Sequence, residues 1–349
     1  MDRKVIHFLM ENIFGKTLNE CKKLMEEAGE PSFRGKQLYQ WLYEKKAAHL
    51  DDCTNLSKGL RERLKSRYAI EHGSIEKIQK DPVDETRKYL IRLPDGNSIE
   101  TVLMSYHHGY SLCVSSQVGC RMGCAFCAST RGGKIRDLEA GEILDQIYLT
   151  EQEAGIRVSN VVIMGIGEPL DNYENILKFI NIANEGWGIG QRKITLSTCG
   201  LVPKIEALAE LDLQINLAIS LHSPFQERRE TLMPVAKKYR IEELLKVCNN
   251  YFTKTKRRIT FEYALIEGFN DRPEDVAELA EILGKMPCHI NLIGLNPVTE
   301  SVYRGSRNVN FFSNELKKRG ITCTIRRKIG DNIDAACGQL RQKADGMKR

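Results

Sequence analysis

Cys120, Cys124 and Cys127 stand in one short run, Cys120-Arg121-Met122-Gly123-Cys124-Ala125-Phe126-Cys127, with C-x3-C-x2-C spacing. Three thiolates on one loop can hold three corners of a cubic iron–sulfur cluster. No fourth cysteine follows at matching spacing, so one iron would stay open to a small ligand. Clusters built for electron transfer alone close all four corners with cysteine. The triplet therefore predicts chemistry at the cluster itself. Zinc is the alternative metal. Structural zinc takes four ligands, commonly in paired C-x2-C units. No second pair is present, and His107 and His108 lie upstream among loop residues. Three structural cysteines in a Gly-containing loop are the third option.

A loop of this kind needs a scaffold. From about residue 111 onward, strand-like segments alternate with amphipathic helices. The strands are expected at Ser111–Val118, Asn160–Met164, Lys193–Ser197, Gln214–Leu221, Arg258–Leu265 and His289–Leu295. Repeated βα units imply a parallel sheet with crossover helices. Six units are too few for an eight-stranded barrel and fit a partial (βα)6 barrel. Ligands gather at the carboxyl ends of such strands. Here those ends carry the cysteine loop, Gly165-Ile166-Gly167-Glu168-Pro169, Ser197-Thr198-Cys199-Gly200, Ser220-Leu221-His222-Ser223 and Leu295-Asn296-Pro297. Five polar strand ends predict one ligand held above the sheet. Gly165 and Gly167 are expected to let backbone approach that ligand. His222 fits either a ligand contact or a structural hydrogen bond.

Residues 1–72 read as a small helical domain. Leu18, Cys21, Leu24 and Met25 share one helical face, Leu38 and Leu42 a second, and Leu60 and Leu64 a third. Its end is basic, at Lys58, Arg61, Arg63, Lys65 and Arg67. Residues 73–110 read as a β-hairpin extension, with strands over 88–93 and 99–104 around Pro94-Asp95-Gly96-Asn97. The α/β core takes residues 111–349.

The chain has 349 residues, 42% of them hydrophobic and 28% charged, which matches a globular protein with a sizeable core. No apolar run reaches membrane-spanning length, and the N-terminus lacks a leader-like apolar stretch. Eleven cysteines, an odd count, argue for a reducing compartment rather than a disulfide scaffold. A cytoplasmic protein is expected. The net charge of +6 is compatible with a polyanionic partner. Lys254-Thr255-Lys256-Arg257-Arg258 and Arg326-Arg327-Lys328 are the other basic runs.

Taken together, the triplet after the first strand and Gly167-Glu168-Pro169 after the second resemble the radical S-adenosylmethionine (SAM) superfamily. Two longer stretches sharpen this. Leu112-Cys113-Val114-Ser115-Ser116-Gln117-Val118-Gly119-Cys120 and Asp331-Asn332-Ile333-Asp334-Ala335-Ala336-Cys337-Gly338-Gln339-Leu340 resemble the RlmN/Cfr family of RNA adenine methyltransferases. The resemblance implies a [4Fe-4S] cluster on Cys120, Cys124 and Cys127. It implies SAM contacts at Gly167, Glu168, Ser197, Ser220, Leu221, His222 and Asn296. Cys337 matches the cysteine that becomes S-methylated, Cys113 its mechanistic partner, and Glu100 the residue assigned as proton acceptor, with Cys113 the alternative for that role. The implied partners are 23S rRNA, tRNA and a flavodoxin-type reductant, for a monomeric enzyme. Methylation of adenine C2 is the nearer pattern, and C8 methylation by antibiotic-resistance relatives is the alternative. A zinc-stabilised, non-catalytic RNA-binding module is the rival from another class. The remaining Cys21, Cys53, Cys248, Cys288 and Cys323 fit core positions, and Cys199 reads as a neutral variant.

Overall fold

The computed structural model describes residues 10–295, 302–327, 330, 333 and 340. Asn296 and Cys337 lie outside the described residues.

Short strands β1 (Glu11–Asn12) and β2 (Tyr68–Ala69) pair in parallel and close the helical unit between them. It holds α1 (Leu18–Glu27), α2 (Phe33–Tyr43) and α3 (Lys58–Lys65). Thr17 starts α1 through a capping box: its hydroxyl accepts from the Glu20 amide while the Glu20 carboxylate accepts from the Thr17 amide. The expected apolar faces, including Leu24, Leu38 and Leu60, are buried.

Four antiparallel strands follow: β3 (Ser74–Lys80), β4 (Arg87–Arg92), β5 (Ser98–Tyr106) and β6 (Gly109–Cys113). β4 and β5 are the expected hairpin, turning through Gly96 at φ +86°. A separate small pair, β7 (Gln117–Gly119) and β8 (Lys134–Asp137), flanks the cysteine loop. The parallel strands are β9 (Val158–Ile163), β10 (Ile194–Thr198), β11 (Asn216–Ser220), β12 (Ile259–Leu265), β13 (Cys288–Gly294) and β14 (Cys323–Ile325). They extend β6 in the order β6-β9-β10-β11-β12-β13-β14, all parallel, within one open ten-stranded sheet. Between them run α4 (Ala140–Ala154), α5 (Tyr173–Glu185), α6 (Val202–Ala209), α7 (Gln226–Leu232), α8 (Ile241–Thr255), α9 (Pro273–Leu283) and α10 (Val309–Lys318).

Two details differ from the sequence expectation. The first parallel strand stops at Cys113 rather than Val118. Beyond it, Ser115 turns the chain, its hydroxyl donating to the Glu100 carbonyl and its amide to the Gln146 side chain. A seventh parallel strand, β14, extends the edge, and three residues are too few to show a period.

The helical unit does not stand apart from the barrel. Its apolar residues belong to the same buried cluster as the barrel strands and helices. Phe14 packs edge-on to Tyr148 and Trp187, and Lys46 pairs with Glu151 beneath it. Gly15 and Gly141 bring the two backbones together so closely that a Cβ on Gly141 would lie 2.1 Å from the Phe14 carbonyl oxygen.

Candidate active site

The cysteine loop is pinned at both ends. The Cys120 amide donates to the Gly133 carbonyl at 3.0 Å, and the Ala125 amide to the Leu232 carbonyl at 2.9 Å. Gly119, at φ +81°, admits this closure, since a Cβ there would lie 1.9 Å from the Gly133 oxygen. Cys120, Cys124 and Cys127 then line one cavity of about 350 Å³ at the carboxyl ends of the strands. Burial pushes the Cys120 thiol up to about 12, offset in part by a hydrogen bond from the Met122 amide. Burial also raises the Cys124 thiol, reinforced by the charge of Cys127.

Among the described residues no three His, Cys, Asp or Glu side chains converge closely enough for one metal ion. A cubic cluster offers a separate iron to each thiolate, so its ligands stand farther apart. Cys120, Cys124 and Cys127, spread along one loop around a common cavity, suit such a cluster.

Other predicted residues converge on the same cavity. Cys113 ends β6 and packs with Val102 and Met104. Gly167, Glu168, Ser197, Ser220 and His222 also line it. Glu168 is a buried strut between strand ends. Its carboxylate accepts from the Leu170 amide at 3.0 Å and the Cys199 amide at 2.8 Å, while its own amide donates to Gln117. Burial nevertheless leaves this carboxyl with a raised pKa. Leu221 is different: its side chain is fully buried in the core, and its amide donates to the Glu262 carbonyl. Any part it takes at the site runs through its backbone. Gly165 and Gly167 line the cavity and also pack closely on the chain beside it. A Cβ on Gly165 would lie 2.7 Å from the Ser115 amide nitrogen, and one on Gly167 2.6 Å from the Ser116 hydroxyl. They serve the close packing of this loop on the segment after β6.

Glu100 is buried on β5 and pairs with the fully buried Lys88, Nζ to Oε2, at 2.9 Å. Strand alternation puts it on the face shared by Val102 and Met104, which line the cavity. Glu100 itself is set one step back from the lining.

His222 occupies the left-handed region at φ +55°. Its Nδ1 accepts from the Ala264 amide at 3.0 Å, which assigns the ring hydrogen to Nε2. The structural and ligand expectations for His222 are thus compatible: one nitrogen holds the fold while the residue lines the cavity. Burial, with the nearby Arg229 charge, pushes its pKa from 6.5 down to about 3. The unfolded chain therefore gains a proton on acidification before the folded chain does. Stability is intact above pH 6.5 and falls as the pH drops toward 3, by about 1.4 kcal/mol per pH unit. Asparagine tolerates the left-handed backbone, so His222→Asn should keep the fold and flatten this dependence. Urea midpoints at pH 7 and pH 5 check it, and equal acid sensitivity of variant and parent would refute it.

The site's framework matches known proteins over nearly the full chain. Residues 114–280 match the model of the Radical SAM superfamily, and residues 11–70 that of the ribosomal RNA large subunit methyltransferase N-terminal domain. A probable dual-specificity RNA methyltransferase RlmN from Lachnospira eligens is 53% identical over 340 residues, covering 96% of this chain and 97% of the relative. Its counterpart from Clostridium perfringens is 48% identical over 346 residues, covering 97% and 100%. The chain belongs to the RlmN family of RNA methyltransferases. The crystal structure of a radical SAM methyltransferase from Sphaerobacter thermophilus superposes with a TM-score of 0.88 at 41% identity, covering 94% of this chain and 98% of that one. Membership of the radical SAM superfamily implies SAM and a [4Fe-4S] cluster, which the cysteine loop suits.

Several residues that hold the RlmN-type site together are not singled out by sequence patterns. The Asn270 side chain donates to the His222 and Ala264 carbonyls at 2.7 and 2.8 Å and accepts from the Ile266 amide at 2.6 Å. Asn172 donates to the Ser116 and Leu138 carbonyls, and Gln146 to that of Ser115. Lys88 and the buried Arg229 belong to the same group. Their signal is chemical: a polar side chain at a position that must be buried.

Proposed function

We propose that the chain methylates C2 of an adenine in 23S rRNA and in tRNA, with Cys337 carrying the methyl group and two SAM molecules used per turnover. The observation that carries this is the shared cavity of Cys113 with Cys120, Cys124 and Cys127. Those three cysteines would hold the [4Fe-4S] cluster, which when bound supplies the electron for SAM cleavage. Glu168, Ser197, Ser220 and His222 line the cavity in which SAM would bind.

Adenine C2 lies between two ring nitrogens and is too electron-poor to attack a sulfonium methyl group. A cysteine thiolate is a good nucleophile. Cys337 would therefore take the methyl group first. The adenosyl fragment of the second SAM would remove one hydrogen atom from it, and the remaining methylene carbon would bond to C2 as the ring loses its proton. Cys113 then attacks the Cys337 sulfur. The carbon–sulfur bond breaks with its electron pair going to carbon, which takes up a proton to become the methyl group. Methylated RNA leaves and a Cys113–Cys337 disulfide forms. Two electrons from a reductant of the flavodoxin class return both to thiols. Glu100, one step behind the cavity wall, is the acceptor for the ring proton.

Mass spectrometry of rRNA and tRNA from a deletion strain and its complemented partners tests this. 2-Methyladenine should vanish on deletion and return with the parent chain, but not with Cys337→Ala. Loss of 8-methyladenine instead would assign C8 chemistry. Methylation by Cys337→Ala would overturn the methyl-carrier mechanism.

A further inference from the structure

A second cavity, of about 560 Å³, lies in the same barrel. It is lined by Thr195, Asn216 and Thr260, at the amino-terminal ends of β10, β11 and β12. The first cavity is lined by Ser197, Ser220 and Ala264, toward the carboxyl ends of the same strands. The two share Met104, Met164, Glu262 and Arg326, so they meet inside the lumen. The barrel therefore has two mouths, and the proposed cofactor chemistry occupies one.

The second mouth is basic and aromatic. Arg257 and Arg258 precede β12 and Arg326 follows β14, yet all three line it. Arg257 is oriented by a 2.6 Å bond to the Asn216 side chain. The neighbouring Lys254, by contrast, is paired with Glu210. Tyr106 and His108 also line the mouth, their rings stacked with centroids 5.2 Å apart and 11° between planes. His107 adds an edge-on contact to His108. Deeper in, Glu262, the only carboxylate lining it among the described residues, is held by Asn291 Nδ2 at 2.9 Å. Guanidinium groups bind phosphate in a fork geometry, and exposed aromatic rings carry unpaired bases. An acidic group at depth behind a cationic rim sorts the two parts of a nucleotide. Phosphates stay at the rim, while the neutral base can go further.

We propose that this second mouth receives the RNA as an unpaired strand. Arg257 and Arg258 hold its phosphates, the Tyr106–His108 stack carries a base, and one nucleotide turned out of its stack reaches up the lumen, past Glu262 and Arg326, toward Cys113. The proposal rests on the RNA-methyltransferase function above and adds the face by which substrate arrives.

Arg258 and His108 line the second cavity and not the first, which suits them to a test. Anaerobically reconstituted holoprotein is titrated with a labelled RNA stem–loop bearing an unpaired adenine, and with a duplex of equal charge. Arg258→Glu should weaken stem–loop binding at least tenfold and lower the salt slope by about 0.7, the value for one single-strand phosphate. His108→Ala should weaken it about fivefold or more, as loss of one stacked base does. Duplex binding should change less than twofold, and SAM binding should not change. Arg61→Glu, at the basic end of the helical unit, is the comparison. Parent-like stem–loop binding by Arg258→Glu overturns the proposal, as does an equal loss for duplex and stem–loop. A loss confined to Arg61→Glu would overturn it while leaving the RNA function standing. Absence of stem–loop binding by the parent holoprotein would overturn both.

Discussion

Cys124→Ser holoprotein, reconstituted anaerobically, is expected to lack the brown colour and most of the iron of the parent, and to methylate RNA at background level. Serine keeps the shape of the side chain, and the Ala125 amide can still donate to the Leu232 carbonyl. The loop should therefore fold while one corner ligand is missing. Iron analysis and visible absorption read the result directly. Parent-like iron content would remove Cys124 from the ligand set. The same site predicts a pH effect on loading. Burial raises the Cys120 and Cys124 thiols, so the empty loop carries protons that thiolate ligation must release. Iron incorporation should rise with pH.

Asn270→Ala should cost about 3 kcal/mol or more, since three buried backbone groups lose their partner at about 1–3 kcal/mol each. These are the His222 and Ala264 carbonyls and the Ile266 amide. Asn270 is itself fully buried, so water cannot easily replace it. Asn270→Asp is the informative comparison. It keeps the acceptor for Ile266 but turns two donated bonds into lone-pair repulsion against carbonyls. It should be at least as destabilising as alanine. Chemical denaturation of both variants decides, and a loss below about 1 kcal/mol in either would refute the assigned network. SAM affinity should fall with stability, because the left-handed turn at His222 hangs on these bonds.

The site was readable in part, and the divide has a physical basis. Cysteine spacing and polar strand ends are local patterns, and the structure brings Cys120, Ser197, Ser220 and His222 to one cavity. Glu100 was legible through resemblance, but Lys88 was not, because cross-strand ion pairs leave no local spacing. Gly165 and Gly167 were read as points of ligand approach; they do line the cavity, and a Cβ on either would also strike the Ser115–Gln117 segment. A glycine shows that something comes close and does not say what. Asn270 and Asn172 escaped for a related reason: their partners are backbone groups, which every residue possesses. Arg257 and Arg258 looked like an ordinary basic run until β11 and β12 set them beside Asn216 at one mouth. Helix faces and most strands were legible, since burial imposes periods of 3.6 and 2. The three-residue β14 was too short to carry one.

The contact of Gly15 with Gly141 leaves no room for a side chain between the helical unit and α4. Lys46 with Glu151, and Phe14 against Tyr148 and Trp187, clamp the same joint. The unit is thus no swinging antenna. A ligand that touches both it and the barrel meets two points at a set separation. For such a ligand the joint would act as a caliper, set by the distance between the two points rather than by local composition.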